Sequence, residues 1–137
     1  MGGGALVRRL KRADLKRLAS LETAPVLFQQ RIEGDEYRVT VLAGRVVGAY
    51  RLPATGVVDA REVLEQAVKV KAPAAVAKAA VCAAAALELV FTSVDVRVTK
   101  RGVPYVLECN PTPSVASYEA AGTSPILQAL SGHLVSV

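Results

Sequence analysis

The chain has 137 residues, 52% of them hydrophobic, which is enough for one core and excludes a disordered tail. Lys and Arg outnumber Asp and Glu by 17 to 12, a formal charge of +5, so an anionic partner is favoured. Aromatics make up 4% with no Trp, which argues against a stacking platform for single-stranded nucleic acid, and two distant cysteines with one histidine leave neither a disulfide framework nor zinc-ligand spacing.

After Met1-Gly2-Gly3-Gly4, Leu6, Leu10, Ala13, Leu18 and Leu21 recur at helical spacing. Arg8, Arg9, Lys11, Arg12, Lys16 and Arg17 mainly take the other side. A solvated helix face accounts for these charges first, with nucleic-acid or membrane-surface binding as the alternative. Pro25 ends that helix. Val26-Leu27-Phe28 and Ile32 then predict a short buried strand, and Glu33-Gly34-Asp35 a turn. Tyr37, Val39 and Val41 alternate with Arg38, Thr40 and Leu42 as a strand, and Ala43-Gly44 turns into a second strand from Arg45 to Leu52. With Ala43-Gly44 as the whole loop, Leu42 lies opposite Arg45 and Glu36 opposite Arg51. Arg38, Arg45 and Arg51 would then share one face.

Pro53 to Asp59 reads as loop, and Arg61 to Lys71 fits helix and strand alike. Ala74 to Leu89 is an Ala-rich helix started by Pro73, charged only at Lys78 and Glu88. So few polar positions predict burial on more than one side, with Cys82 as a core filler. A Pro/Ser/Thr-rich loop from Pro111 to Ser124 leads to a last helix from Pro125 to about Leu134, where His133 suits a surface or dipole-pairing role. No repeat or long linker divides the chain, so residues 1–137 read as a single unit. The longest uncharged apolar run, Ala79 to Leu87, is far short of the roughly 20 residues that span a bilayer. With no signal peptide recognisable either, a cytoplasmic setting without membrane contact is expected.

The stretch from Phe91 to Pro111 carries the chemistry. Two alternating strands flank Arg101-Gly102, and a two-residue loop there pairs Lys100 with Val103 and therefore Asp95 with Glu108. Alternation sends Val94, Val96, Val98, Val103, Tyr105, Leu107 and Cys109 to the core, and Asp95, Arg97, Glu108 and Asn110 to the other side. Like charges directly opposite destabilise a sheet unless one is protonated or a cation lies between them. An Asp/Glu/Asn oxygen cluster suits Mg²⁺, with substrate phosphates completing the octahedron. A plain pair of exposed carboxylates, one neutralised by Arg97, fits the same pattern.

Several of these runs together resemble a known family. Phe28-Gln29-Gln30-Arg31-Ile32-Glu33-Gly34-Asp35-Glu36-Tyr37-Arg38-Val39, Ala49-Tyr50-Arg51, Val94-Asp95 and Leu107-Glu108-Cys109-Asn110-Pro111 resemble the ATP-grasp superfamily. The similarity is greatest to the branch of ribosomal-protein glutamate ligases and peptide-maturation ligases. Tyr118-Glu119 with Gly122 to Ile126 extends it, so that it covers Pro25 to Leu134.

The resemblance implies an ATP-dependent carboxylate–amine ligase that works through an acyl phosphate, with a peptide among the candidate substrates. It implies ATP and Mg²⁺ as cofactors, with Mn²⁺ as a substitute. Asp95, Glu108 and Asn110 match the metal ligands, and Arg38 and Arg51 the basic catalytic residues near the phosphates. Gln29, Gln30, Arg31 and Ile32 match the hinge strand lining the adenine pocket, although Gln30 stands where Glu is common. Glu36 matches an acidic residue near the ribose. Arg61 matches an ATP contact, without the Asn usual just after it.

Gly2-Gly3-Gly4 resembles the end of a Gly-rich loop, and the phosphate-binding lysines of the family lie upstream of it. The resemblance therefore implies an α+β C-terminal lobe, an antiparallel sheet with helices packed on one face, whose upstream lobe and preceding domain are outside this sequence. Little nucleotide binding and no turnover are expected of that lobe alone. A missing lobe or second chain would be its partner. A non-catalytic interaction or nucleic-acid-binding module, using the basic N-terminal helix, is the alternative.

Overall fold

The computed structural model describes residue 11 and residues 29–53, 66–115 and 124–136. Contacts divide the chain into two compact units, Met1–Arg31 and Ile32–Val137. The second unit holds strands β1 (Asp35–Leu42), β2 (Arg45–Leu52), β3 (Val68–Lys69), β4 (Phe91–Val98) and β5 (Pro104–Asn110). It also holds helices α1 (Ala74–Ala86) and α2 (Pro125–Val135). The strands form one five-stranded antiparallel sheet in the order β3-β2-β1-β4-β5. This is the α+β architecture expected from the sequence. The basic helix face apart from Lys11, Val26 to Phe28, and Arg61 lie outside the described residues.

Alternation builds both faces of the sheet. Val39 and Val41 of β1, Ala49 of β2, and Val94 and Val96 of β4 form one core under Val76, Ala80 and Ala84 of α1. Those three alanine-helix positions are four apart and form a single buried stripe. Cys82 falls off that stripe and is exposed, so it is not the core filler expected of it. Low polarity in α1 reflects a helix of small residues with one buried side, rather than burial all round.

Ala49 and Tyr50 are consecutive in β2, yet Tyr50 packs in a second core with Ile126 of α2 and Val115. The helices therefore divide between the two faces, where the sequence led us to expect them on one. Gly48 makes room for α2: a Cβ there would lie 2.6 Å from Ile126 Cδ1. Ser124 caps α2 by accepting the Leu127 N–H at 3.1 Å, with Pro125 opening the first turn.

Two hairpins set the register. Ala43 (φ 47°) and Gly44 (φ 74°) both adopt the left-handed region, as a two-residue type I′ turn requires, and Leu42 pairs with Arg45 as expected. A bulge then places Val47 as an extra residue on β2, since Val41 pairs with Val46 but Thr40 with Gly48. From there Glu36 meets Leu52 and Tyr37 meets Arg51, one residue away from the expected pairing. Arg38 and Arg45 keep a common face, but Arg51 moves to the α1 side.

The β4–β5 loop spans three residues rather than two. Thr99 N–H donates to the Val103 carbonyl at 3.0 Å, Gly102 N–H to the Thr99 carbonyl at 2.8 Å, and Gly102 has φ 79°. This is a type I turn closed by a left-handed glycine. Val98 consequently pairs with Pro104, and Tyr105 pairs with Arg97, off the α1 side where it was expected. Val103 is 46% exposed rather than core. A second bulge inserts Leu107, because Val96 pairs with Val106 but Asp95 with Glu108. The two shifts cancel, and the expected pairing of Asp95 with Glu108 is restored.

Candidate functional site

The face that carries Tyr50 bears three successive rungs of paired side chains. The central rung crosses the whole sheet: Lys69, Tyr50, Arg38, Asp95 and Glu108, on β3, β2, β1, β4 and β5. On one side of it run Leu52, Glu36, Arg97 and Tyr105, and on the other Gly48, Thr40, Ser93 and Asn110. The last rung is dry where Thr40 and Ser93 share a hydroxyl–hydroxyl bond of 3.2 Å. The other two rungs are half open to solvent and strongly charged.

Charge pairing follows the rungs. Arg38 donates from Nε to Asp95 Oδ1 at 2.8 Å and from Nη2 to Oδ2 at 2.7 Å, a planar fork on both carboxylate oxygens. Arg97 pairs with Glu36 through Nη2 and donates from Nη1 to the Ile32 carbonyl at 3.0 Å. Among the described residues Glu108 has no ion pair, although it stands directly across from Asp95. Asn110 is anchored at the end of β5: its carbonyl accepts from Thr92 Oγ1 at 2.9 Å, and its Oδ1 accepts the Thr112 N–H at 2.9 Å. Cys109 follows Glu108 in β5 and pairs with Val94, the neighbour of Asp95, and its side chain turns to the α1 core. Burial, and then the charges of Asp95 and Glu108, push its thiol pKa above the ordinary value.

The structure brings Glu36, Arg38, Asp95, Glu108 and Asn110 onto one face within adjacent rungs. It does not bring Arg51 there; that side chain points to the α1 side and lies 3.3 Å from Asp35 Oδ1. Gln29, Gln30 and Arg31 are exposed and outside any strand, and Ile32 is half-buried. Ile32, expected in a short buried strand with Val26 to Phe28, lies outside any strand, and Val26 to Phe28 lie outside the described residues. Ile32 spends its carbonyl on the Arg97 side chain, and Gly34 (φ 151°) bends the chain so close to β4 that a Cβ would lie 1.7 Å from the Val98 carbonyl oxygen. Lys69 joins the charged face unforeseen. Its segment fitted helix and strand alike, and only pairing with Tyr50 assigns it a side.

Oxygen donors suited to a hard cation are thus Asp95, Glu108 and the Asn110 amide. Among the described residues no group of three His, Cys, Asp or Glu side chains is placed to hold a metal ion. Two carboxylates and an amide fit Mg²⁺ that completes its shell with substrate phosphates, rather than a metal caged by protein. A hollow of about 360 Å³ under the β1–β2 turn, lined by Arg45, Val47, Ala129 and His133 among others, contains none of these donors. Among the described residues no helix is long and apolar enough to cross a membrane.

A family model for an ATP-grasp domain, the third family of its clade, matches residues 2–130. The chain belongs to this ATP-grasp family. Solved structures agree with the membership. The ATP-grasp ligase PsnB, complexed with a minimal precursor, Mg and ADP, is 28% identical, with a TM-score of 0.78 over 98% of this chain and 43% of PsnB. The macrocyclase MdnC from Microcystis aeruginosa MRC, bound with its precursor peptide MdnA, shares the fold at 22% identity, TM-score 0.70, over 93% of this chain and 41% of MdnC. D-alanine–D-alanine ligase from Bacillus anthracis, complexed with ATP, shares it more distantly at 22% identity, TM-score 0.54, over 74% of this chain and 34% of that enzyme. This ATP-grasp chain therefore spans less than half the length of the ligases it matches. No curated protein matches it.

Proposed function

We propose that this ATP-grasp chain supplies the metal- and phosphate-binding face of an ATP- and Mg²⁺-dependent carboxylate–amine ligase that acts on a peptide. The observation that carries the reading is the pairing of Asp95 with Glu108 on the open charged face, with Asn110 one rung away and Arg38 beside them. Arg38 answers the charge of Asp95, Glu108 has no ion pair among the described residues, and a divalent cation would draw both carboxylates into one binding site. Asp95, Glu108 and Asn110 would hold Mg²⁺, or Mn²⁺ in its place. The metal would offset negative charge on the phosphoryl group as a carboxylate is converted to an acyl phosphate for attack by an amine.

The chain's own groups have separable tasks. Arg38 offers a planar guanidinium for a phosphate oxygen pair. Glu36 would accept a ribose hydroxyl, and Gln29 to Ile32, with Arg61, are the candidates for the adenine end and the remaining ATP contacts. Arg51, turned to the other face, is left out of this site. The PsnB complex with precursor peptide PsnA2 supports a peptide as one substrate. The parts of that ligase that this chain does not match would complete the nucleotide cleft, in a cytoplasmic setting.

Thermal unfolding with Mg·ATP tests the reading. A ligand at about 100 times its Kd stabilises the folded state by about 2.7 kcal/mol, a readily measured rise in Tm. The rise is expected for the unmodified chain and is lost in the Asp95→Asn/Glu108→Gln double variant. An equal rise in both proteins would sink the assignment. So would a rise only with RNA or DNA that collapses at high salt.

A further inference from the structure

We propose that Arg38 and a divalent cation compete for Asp95, so that the guanidinium is a built-in counter-ion which metal must displace. The inference rests on the metal reading of Asp95, Glu108 and Asn110 given above. Arg38 occupies both carboxylate oxygens at 2.8 and 2.7 Å from directly paired positions on neighbouring strands. Asp95 retains only 13% of its side-chain exposure and Arg38 26%, so water screens the pair weakly.

A dication bound to Asp95 would stand against a guanidinium within one residue's reach, and like charges at that range repel. A phosphate-bearing ligand that arrives with the metal offers the displaced Arg38 an oxygen pair that matches its fork. Two consequences follow. Metal alone binds weakly, because it must break a two-point ion pair. Metal and a phosphate-bearing ligand bind with positive coupling, and the coupling passes through Arg38.

Mn²⁺ binding, followed by the loss of the free-ion paramagnetic signal, separates the outcomes. For the unmodified chain, weak Mn²⁺ binding is expected to tighten when ADP is added. Arg38→Gln is expected to bind Mn²⁺ alone about tenfold more tightly and to lose most of the ADP-induced gain, a change of about 1.4 kcal/mol. Asp95→Asn is expected to abolish Mn²⁺ binding with Arg38 present or replaced. If Arg38→Gln leaves Mn²⁺ affinity unchanged or weaker while Asp95→Asn still abolishes it, Arg38 is structural only and the competition is refuted, with the metal reading intact. If Asp95→Asn leaves Mn²⁺ binding untouched, or neither the unmodified chain nor Arg38→Gln binds it, the metal reading fails and the competition with it. A measurement without substitution covers the case in which Arg38→Gln does not fold. The Arg38 Nε–H resonance should move on addition of Mg²⁺ with ADP, and an unmoved resonance at metal saturation overturns the proposal.

Discussion

Arg97 does two jobs with one side chain, pairing with Glu36 and holding the Ile32 carbonyl, while its Nε is buried without a hydrogen bond among the described residues. Both partners keep about a quarter of their side-chain exposure, at 27% and 23%, so solvent discounts the pair only in part. Arg97→Met strands the Glu36 carboxylate and frees the segment entering β1. It should lower stability by about 1–3 kcal/mol, read as a fall in the urea midpoint at constant slope. Glu36→Gln/Arg97→Met should cost less than the two single changes added together, because the stranded charge is gone.

The cysteines give a residue-scale prediction with a definite sign. Cys109 has a folded-state pKa raised above the ordinary 9.0, by burial first and by Asp95 and Glu108 next. The unfolded thiol therefore loses its proton at lower pH than the folded one. The stability contributed by Cys109 is complete below pH 9.0 and is lost as pH rises through the folded-state value. Unfolding free energies measured across that window should fall with pH, and the fall should flatten in Cys109→Ala. At pH 8 an alkylating reagent should modify exposed Cys82 about tenfold faster or more, since only the thiolate reacts. Comparable rates at the two positions would contradict the burial argument.

At the scale of elements, Gly48 is the contact point between β2 and α2. Its missing Cβ would sit 2.6 and 2.8 Å from Ile126 Cδ1 and Cγ1, and Ile126 is fully buried. Gly48→Ala should destabilise by about 1–3 kcal/mol through overpacking, whereas the same change at Gly132, which has open space around it, should have no such cost. Thermal denaturation of the two variants makes the comparison.

The elements themselves were legible from periodicity: β1, β2, β4, β5 and both helices lie where alternation and capping residues predicted them. Their relations were less so. Nothing in the run Arg45 to Leu52 marks Val47 as a bulge, because Val46 and Val47 both face apolar surroundings, so Arg51 was assigned to the wrong face. Cys82 misled for a related reason: in a helix of alanines, composition does not reveal which stripe is buried. The Asp95–Glu108 pairing was reached through a two-residue loop that the structure does not have, and it stands only because the three-residue turn and the Leu107 bulge offset each other. Lys69 was invisible, since a two-residue strand leaves no period to read.

For the whole molecule, the exposed edge matters most. Among the described strands β3 and β5 close the sheet, and β5 is the longer, at seven residues against two. Tyr105 and Val106 along it, and Val103 just before it, are each more than 40% exposed. An open, apolar edge strand is a template for pairing with another chain. Val106→Lys should reduce concentration-dependent self-association in sedimentation velocity while changing stability by no more than about 0.5 kcal/mol. If association persists unchanged, the β5 edge is not its seat.

The hairpin between β4 and β5 has a consequence for how this chain tolerates insertions and deletions. Side chains on a strand have parity, and each one-residue slip exchanges inside for outside. Here each slip is confined to an unpaired residue, one in the turn and Leu107 in the bulge, so the pairs on either side do not depend on it. Removing Leu107 sets Val106 and Glu108 side by side, still opposite Val96 and Asp95, and metal binding should survive. Removing Val106 and Leu107 together should bring Glu108 opposite Val96 and abolish it. The hairpin therefore absorbs the loss of one residue and fails at two.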